Sequence, residues 1–226
     1  MDYLEPCHYS TRLIEKLQSL DTENILDFDL INKAIYWAKK YHDGQFRKSG
    51  EPFYTHPLEV AYMLSEYKLK TDTTVTAILH DIVEDTEVTA GMILDGFGWR
   101  IAEMVDRLTR VRPDGSKISV EEILNNAYEK DDKEVLLIKV VDRLHNMQTI
   151  GGQTIKKQKK TSMETLRILL HSVINIDDIN LEIYITNIAL SILDNTDQSF
   201  NGHDLLSSLK IENDLIHIPQ IVKYSS

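Results

Sequence analysis

Residues 77–86 of the chain read Ala-Ile-Leu-His-Asp-Ile-Val-Glu-Asp-Thr. On a helix of 3.6 residues per turn, Glu84 lies one turn after His80 and Asp81. Asp85 follows Asp81 by one turn in the same way. An imidazole and three carboxylates this close repel one another and lose hydration, and a bound cation would relieve both costs. The stretch therefore predicts a helix anchored by apolar residues that presents one polar, cation-attracting patch.

The composition is that of a globular protein, with 226 residues of which 42% are hydrophobic and 27% charged. No apolar run is long enough to span a membrane, and the acidic N-terminus does not resemble a signal peptide. The single cysteine, Cys7, has no partner for an internal disulfide. These features predict a cytoplasmic protein with no membrane partner.

The net charge of −11 argues against non-specific binding to nucleic acid, which requires a basic surface. This negative charge does not exclude binding of a small anionic ligand, because a metal ion and a few local basic groups can invert the potential of one pocket. The charge is therefore compatible with a small-molecule ligand and argues against nucleic acid.

Helical periodicity dominates the chain and strand-like alternation is scarce, so we expect an all-α protein. We expect an N-terminal helix and linker over 1–27, a helical domain over 28–195 and a C-terminal tail, which can be partly ordered, over 196–226. The central helix is predicted to run from Thr71 to Asp85. A second informative helix, over 134–149, is apolar on most faces and is therefore expected to be buried.

Four residues on three predicted helices form a candidate metal site: His56, His80, Asp81 and Asp142. His56 is expected at a helix start, because Thr55 suits the N-cap and Pro57 suits the first turn. Asp142 lies in the buried helix, where a carboxylate needs a partner or a metal. Two imidazoles and two carboxylates suit Mn²⁺, Fe²⁺ or Zn²⁺. On spacing alone, ordinary polar residues at helix ends remain an open alternative.

Three other features of the sequence could be mistaken for parts of this site. His42 and Asp43 are also a His-Asp pair, but no carboxylate pair follows one turn later, so we interpret His42 as a histidine at a helix C-terminus. The tripeptide at 106–108 repeats that at 142–144 in more polar surroundings, which favour a solvated face. His145 is expected to pack or to form a local hydrogen bond rather than to bind a metal.

Arg47, Lys48 and Ser49 lie in a loop marked by glycines and proline. Arginine can stack on a purine or bind phosphate through two nitrogens, lysine adds a point charge, and serine adds a hydroxyl. The loop is therefore a candidate anion or base clamp, with a solvated basic loop as the alternative.

Three blocks of the sequence resemble the hydrolase domain of the RelA/SpoT-homologue family, and the resemblance covers about residues 30–175. The joint blocks separate this family from other HD phosphohydrolases. They are His42–Pro52 with Thr55-His56-Pro57, Leu79–Thr86, and Lys139–Met147.

The resemblance implies an all-α HD-domain helical bundle and an enzyme of the stringent response. Such enzymes remove the 3′-pyrophosphate from the alarmones guanosine tetraphosphate and pentaphosphate, which gives GDP or GTP. It implies a Mn²⁺ ion held by His56, His80, Asp81 and Asp142. It implies that Glu84 and Asp85 position and activate the attacking water. It also implies a guanosine pocket lined by Arg47, Lys48, Ser49, Asn146 and Thr149.

The sequence also departs from the family. The segment 111–132 and the region after Leu170 match poorly, and Ser226 comes too early for the synthetase domain of long members. We therefore expect a stand-alone or split-off hydrolase. Two alternatives stay open: an HD phosphohydrolase for another nucleotide, such as a 3′-phosphorylated adenosine cofactor or a deoxynucleotide, and a non-catalytic alarmone-binding or regulatory fragment. The complete ligand set disfavours the second.

Overall fold

The computed structural model describes residues 3–112, 114–172 and 179–196. Over these ranges the chain is helical, and its only extended pairings are two isolated bridges, Phe46 with Pro52 and Val111 with Lys117. The predicted all-α class is confirmed. The helices are α1 (His8–Leu20), α2 (Phe28–Tyr41), α3 (Thr55–Leu64), α4 (Thr71–Leu79), α5 (Ile82–Asp85), α6 (Ala90–Phe97), α7 (Trp99–Leu108), α8 (Val120–Glu129), α9 (Lys133–Gln148), α10 (Ile155–Ser172) and α11 (Ile179–Thr196).

The chain divides into two compact units, Met1–Asn146 and Met147–Ser226. The domain limits drawn from the sequence stay a prediction. The expected tail covers 196–226, and its residues 197–226 lie outside the described residues. None of the described helices combines the length and the apolarity that a membrane crossing requires.

Helix α4 lies at the centre of the first unit, where it packs against α2, α3 and α7. Every residue from Thr73 to Leu79 is buried, including three threonines. Their hydroxyls are satisfied locally or by one neighbour, since Thr76 Oγ1 donates to the carbonyl of Asp72 at 2.7 Å and Thr73 Oγ1 to Glu134 Oε1 at 2.8 Å. The helix can therefore be buried on all sides without unpaired hydroxyls.

The continuous helix predicted from Thr71 to Asp85 is wrong at one point, because α4 ends at Leu79 and α5 begins at Ile82. His80 Nδ1 lies 2.7 Å from the carbonyl oxygen of Ala77. In an uninterrupted helix the Asp81 amide would donate to this same oxygen. The imidazole therefore replaces a backbone hydrogen bond at the helix end, and the chain turns between the two helices.

The start of α3 also differs by one residue from the prediction. Tyr54 is the N-cap and forms no capping hydrogen bond through its side chain. Thr55 is the first helical residue, and its hydroxyl donates to the carbonyl of Pro52 at 2.8 Å. Thr55 therefore ties the preceding loop to the helix without capping it, and His56 still lies in the first turn, as expected.

Helix α9 is buried, as its apolar pattern predicted. Its buried apolar residues include Val135, Leu136, Leu137, Ile138, Val140, Val141 and Leu144. In the second unit α10 packs against α11. The core of that unit contains Met147, Ile150, Leu166, Ala189, Leu190 and Leu193.

Candidate functional site

Three separate elements of the first unit bring together the four residues of the predicted metal site. His56 lies in the first turn of α3, His80 and Asp81 lie at the break between α4 and α5, and Asp142 lies in α9. His56, His80 and Asp142 are buried and place one potential ligand atom each within 4.8 Å of one another. Asp81 lies beside them, with Oδ1 2.6 Å from His80 Nε2 and Oδ2 3.4 Å from His56 Nε2.

The His80 ring is oriented by the backbone of its own helix. Because Nδ1 donates to the carbonyl of Ala77, it carries a proton, and a neutral ring would offer the lone pair of Nε2 to a metal ion. Nε2 is buried and has no well-oriented hydrogen bond within the described part of the chain. The carboxylates of Asp81 and Asp142 nevertheless approach it, at 2.6 and 3.6 Å. A buried nitrogen in this state is typical of a metal ligand.

The His56 ring is oriented by a second histidine. Its Nδ1 lies 2.7 Å from Nδ1 of His145, which comes from α9. Its Nε2 points to the same centre as that of His80 and lies 3.2 Å from Oδ1 of Asp142. Both imidazoles therefore present Nε2 to one point and use Nδ1 for support.

The two oxygens of the Asp142 carboxylate have different partners. Its Oδ2 accepts a hydrogen bond from Lys139 Nζ at 2.9 Å, one turn earlier on α9. Its Oδ1 faces the two imidazoles and accepts from Asn146 Nδ2 at 2.6 Å. The ammonium of Lys139 is itself buried, so the two charges neutralise each other within the helix.

The electrostatics of the site favour a positive charge at its centre. Burial alone would lower the pKa of His80, but the carboxylates of Asp81 and Asp142 outweigh it and raise that pKa to about 10. Burial would likewise raise the pKa of Asp81, but His80 lowers it to about 2. Burial would also raise the pKa of Asp142, but Lys139, His56 and His80 together outweigh it and lower that pKa. Two ionised carboxylates thus favour a positive charge between them, on a protonated His80 or on a metal ion.

These residues fit a divalent metal ion. The nitrogen and oxygen atoms that face the centre lie 2.6 to 3.6 Å apart. Ligand atoms bound about 2.1 Å from one ion lie about 3 Å apart when they meet it at right angles. The donor set of two imidazole nitrogens and carboxylate oxygens is one that first-row transition metals accept.

The two carboxylates predicted as catalytic lie in α5, next to the metal site. Glu84 Oε2 accepts a hydrogen bond from the backbone amide of Arg110 at 3.2 Å. The backbone carbonyl of Asp85 accepts from Gln45 Nε2 at 2.8 Å, which ties α5 to the loop after α2. Partial desolvation, together with the charges of Asp81 and Glu84, raises the pKa of Asp85 to about 6. Asp85 can therefore exchange a proton near neutral pH.

The predicted substrate residues fall into three groups. Arg47 Nη2 donates to Asn146 Oδ1 at 3.0 Å, and Asn146 in turn donates to Asp142, so these two residues adjoin the metal site. Lys48 and Ser49 are exposed in the turn that follows Arg47. Thr149 belongs to the second unit, where it precedes the short 3₁₀-helix Ile150–Gly152.

The repeated tripeptide at 106–108 lies at the end of α7. Asp106 is exposed, and Arg107 forms ion pairs with Asp132 and, at 2.5 Å, with Glu103. The solvated face expected for this segment agrees with the exposure of Asp106, whereas Leu108 is buried.

The site contains two supporting residues that the sequence reading did not assign to it, Lys139 and His145. Lys139 precedes Asp142 by three positions, a spacing that places both on one helix face and could have indicated the pair. His145 was expected to bond locally, but it contacts a ring 89 residues away in the sequence. Its position three residues after Asp142 was the only available signal.

Comparison with known proteins gives the family. A profile of the HD domain matches residues 34–170, more than half of the chain. The chain belongs to the HD-domain family. The matched range includes every residue of the site described above.

Relatives of this HD-domain chain are RelA/SpoT-type proteins, which confirms the resemblance seen in the sequence. The chain is 40% identical over 150 residues to a GTP pyrophosphokinase of Myxococcus xanthus, a match that covers 63% of this chain and 20% of the relative. It is 34% identical over 173 residues to a probable guanosine-3′,5′-bis(diphosphate) 3′-pyrophosphohydrolase of Mycoplasma genitalium, covering 72% of this chain and 23% of the relative. The chain thus spans about a fifth of the length of these relatives.

A solved structure shares the fold. It is described as a metazoan orthologue of SpoT that hydrolyses ppGpp and plays a role in starvation responses. The two structures align with a TM-score of 0.55 and 20% sequence identity, over 81% of this chain and 95% of the other. The predicted HD-domain helical bundle is therefore confirmed as the fold.

Proposed function

We propose that this HD-domain chain is a Mn²⁺-dependent hydrolase that removes the 3′-pyrophosphate from guanosine tetraphosphate and pentaphosphate, giving GDP or GTP. The observation that carries the proposal is the buried centre at which His56, His80 and Asp142 converge, with Asp81 beside them. The names of the relatives supply the substrate class, since the Mycoplasma genitalium relative is called a probable guanosine-3′,5′-bis(diphosphate) 3′-pyrophosphohydrolase.

The metal would be held by His56, His80, Asp81 and Asp142. When bound, a divalent ion would acidify a water molecule and offset negative charge on the phosphate. Mn²⁺ is our choice among the ions that such a donor set accepts. Glu84 and Asp85 follow the ligands by one turn and are well placed to orient the water and to accept its proton, a contribution of about 10²- to 10⁴-fold.

The reaction is a hydrolysis in which water adds to phosphorus and the bond to the 3′-oxygen of the ribose breaks. Asp85 suits the role of proton acceptor because its pKa of about 6 leaves it ionised at neutral pH. Glu84 suits the orienting role because the amide of Arg110 fixes one of its oxygens. The 3′-oxygen is the leaving group and takes up one proton, which balances the proton accepted by Asp85. The products are pyrophosphate, which keeps the oxygen of the water, and a nucleoside diphosphate or triphosphate with a free 3′-hydroxyl.

Arg47 and Asn146 are the residues best placed to bind the nucleotide close to the metal. Their side chains are joined by a hydrogen bond, and Asn146 also contacts Asp142. A guanidinium can bind phosphate through two nitrogens or stack on the base. We assign Lys48, Ser49 and Thr149 to the same guanosine pocket on the resemblance alone. A nucleotide substrate of this kind would place the chain in the cytoplasm.

The test is a panel of nucleotides incubated with the purified chain and Mn²⁺. We expect pyrophosphate release from guanosine tetraphosphate and pentaphosphate, with little product from 3′-phosphorylated adenosine cofactors or deoxynucleotides. Preferential hydrolysis of an adenosine cofactor or a deoxynucleotide would retain the metal centre but refute the guanosine assignment. A chain that binds alarmone without cleaving it, although loaded with metal, would refute the hydrolase.

A further inference from the structure

Two histidines face the same centre, but they are held in different ways. The ring of His80 is supported by a backbone carbonyl three residues earlier, at 2.7 Å. The ring of His56 is supported by the side chain of His145, also at 2.7 Å. The first support is built into the helix, whereas the second depends on one replaceable side chain.

The contact between the two rings couples the proton position of His56 to that of His145. The atoms in contact are Nδ1 of His56 and Nδ1 of His145, and two nitrogens at hydrogen-bond distance share a single proton. His56 must keep a lone pair on Nε2 if that atom is to bind a metal, so its own proton must lie on Nδ1. His145 then accepts the hydrogen bond through Nδ1 and carries its proton on the other nitrogen.

We propose that His145 is a positioning residue that fixes the Nδ1-protonated tautomer of His56 and so keeps the Nε2 lone pair directed at the metal. The inference rests on the metal site of the proposed function. A partner that holds the second nitrogen of a histidine ligand sets both its ring orientation and its basicity, and loss of such a partner costs about 10- to 100-fold in metal affinity.

The location of His145 supports this role. It is 9% exposed, and its ring lies 4.9 Å from that of His56 between centroids, at 30°. It follows Asp142 by three positions, so both side chains lie on one face of α9. One helix therefore supplies a carboxylate to the centre and also the support for a ligand on α3.

The experiment measures Mn²⁺ affinity by titration calorimetry for the wild-type chain and three variants. His145→Leu removes the acceptor, and His145→Asn restores one, since an amide oxygen can occupy the position of Nδ1. His8→Leu is the matched control, because His8 is an exposed histidine on α1. We expect about 10- to 100-fold weaker binding for His145→Leu, and affinities close to wild type for His145→Asn and the control.

A second measurement avoids any variant. Nitrogen chemical shifts of the histidine rings, recorded by NMR on the wild-type chain without metal and with Zn²⁺, report which ring nitrogen bears the proton. We expect His56 to be protonated at Nδ1 and His145 at Nε2 when Zn²⁺ is bound. Protonation of His145 at Nδ1 in the Zn²⁺-bound chain would overturn the inference, even if His145→Leu did not fold.

The outcomes separate this inference from the function on which it rests. A wild-type chain that binds no Mn²⁺ would overturn both. Tight binding by the wild type and equal binding by His145→Leu would overturn only the positioning role. Equal losses in His145→Leu and His145→Asn would also overturn it, because a restored acceptor should restore the support.

Discussion

The chain contains two His-Asp pairs, and both lie at the carboxyl end of a helix. His42 is the C-cap of α2, and His80 is the C-cap of α4. Both histidines are buried, and each uses Nδ1 for a hydrogen bond, His42 to Gln45 Oε1 at 2.9 Å and His80 to a backbone carbonyl. The dipeptide and its place in a helix therefore do not distinguish the two sites.

The difference lies in what surrounds each pair. The His42 ring stacks on Phe53, with centroids 4.8 Å apart, and Asp43 is exposed, where it accepts a hydrogen bond from the hydroxyl of Tyr3. The second pair, by contrast, meets His56 and Asp142 from other helices. The second pair is a candidate metal site because other helices bring further potential ligands to it.

The largest expected effect comes from exchanging one aspartate for asparagine in each pair. Asp81→Asn removes a charge from the centre and should lower both Mn²⁺ affinity and the rate of hydrolysis by more than about 10²-fold. This loss exceeds the about 10- to 100-fold loss of metal affinity that follows removal of a residue supporting a ligand. Asp43→Asn should leave both unchanged. Calorimetry and pyrophosphate release measure the two effects. Similar losses in the two variants would refute the distinction between the pairs.

The carboxylates that follow the second pair provide the next contrast. Glu84→Gln keeps the metal ligands but removes a charge that orients the water, so we expect wild-type Mn²⁺ affinity and a turnover number about 10²- to 10⁴-fold lower. Glu87→Gln, at an exposed neighbouring position, is the matched control. Full activity in Glu84→Gln would show that the water is activated without this residue.

A third prediction concerns the buried ion pair that supports Asp142. Lys139→Met leaves the carboxylate buried without its cation, and removing one partner of such a pair costs about 3–5 kcal/mol. We expect the free energy of unfolding of the metal-free chain, measured with urea, to fall by this amount. Lys130→Met, at an exposed position, should change it little. An equally small change in Lys139→Met would show that the pair is not needed.

The pH dependence of hydrolysis should give the smallest effect. The pKa of Asp85 is raised to about 6, so the ionised base predominates above that pH and is lost below it. We expect the turnover number to fall about tenfold per unit as the pH decreases below 6. The low residual rate of Asp85→Asn should lack this decline, whereas Asp43→Asn should retain it. A rate independent of pH from 5 to 7 would exclude Asp85 as the base.

Much of the site could be predicted because its signals are local in the sequence. Side-chain type and helical spacing nominated His80, Asp81 and Asp142 as candidates, a helix start nominated His56, and the structure brings their side chains together. The apolar faces of α9 likewise predicted its burial. These features depend on neighbours within one or two turns.

The remaining features depend on contacts between distant parts of the chain. The break after Leu79 arises because His80 takes the Ala77 carbonyl, a choice that periodicity does not reveal. The support of His56 by His145 joins residues 89 positions apart. Helical periodicity predicts neither contact, and the only signal for the second was the position of His145 three residues after Asp142.

The central claim is that the second His-Asp pair holds a catalytic metal for alarmone hydrolysis. The most direct measurement is pyrophosphate release from guanosine tetraphosphate by the purified chain, first after removal of metal with a chelator and then after addition of Mn²⁺. We predict no release from the stripped chain and full recovery with Mn²⁺. Release that continues at the same rate in the stripped chain, or no release although Mn²⁺ is bound, would contradict the account.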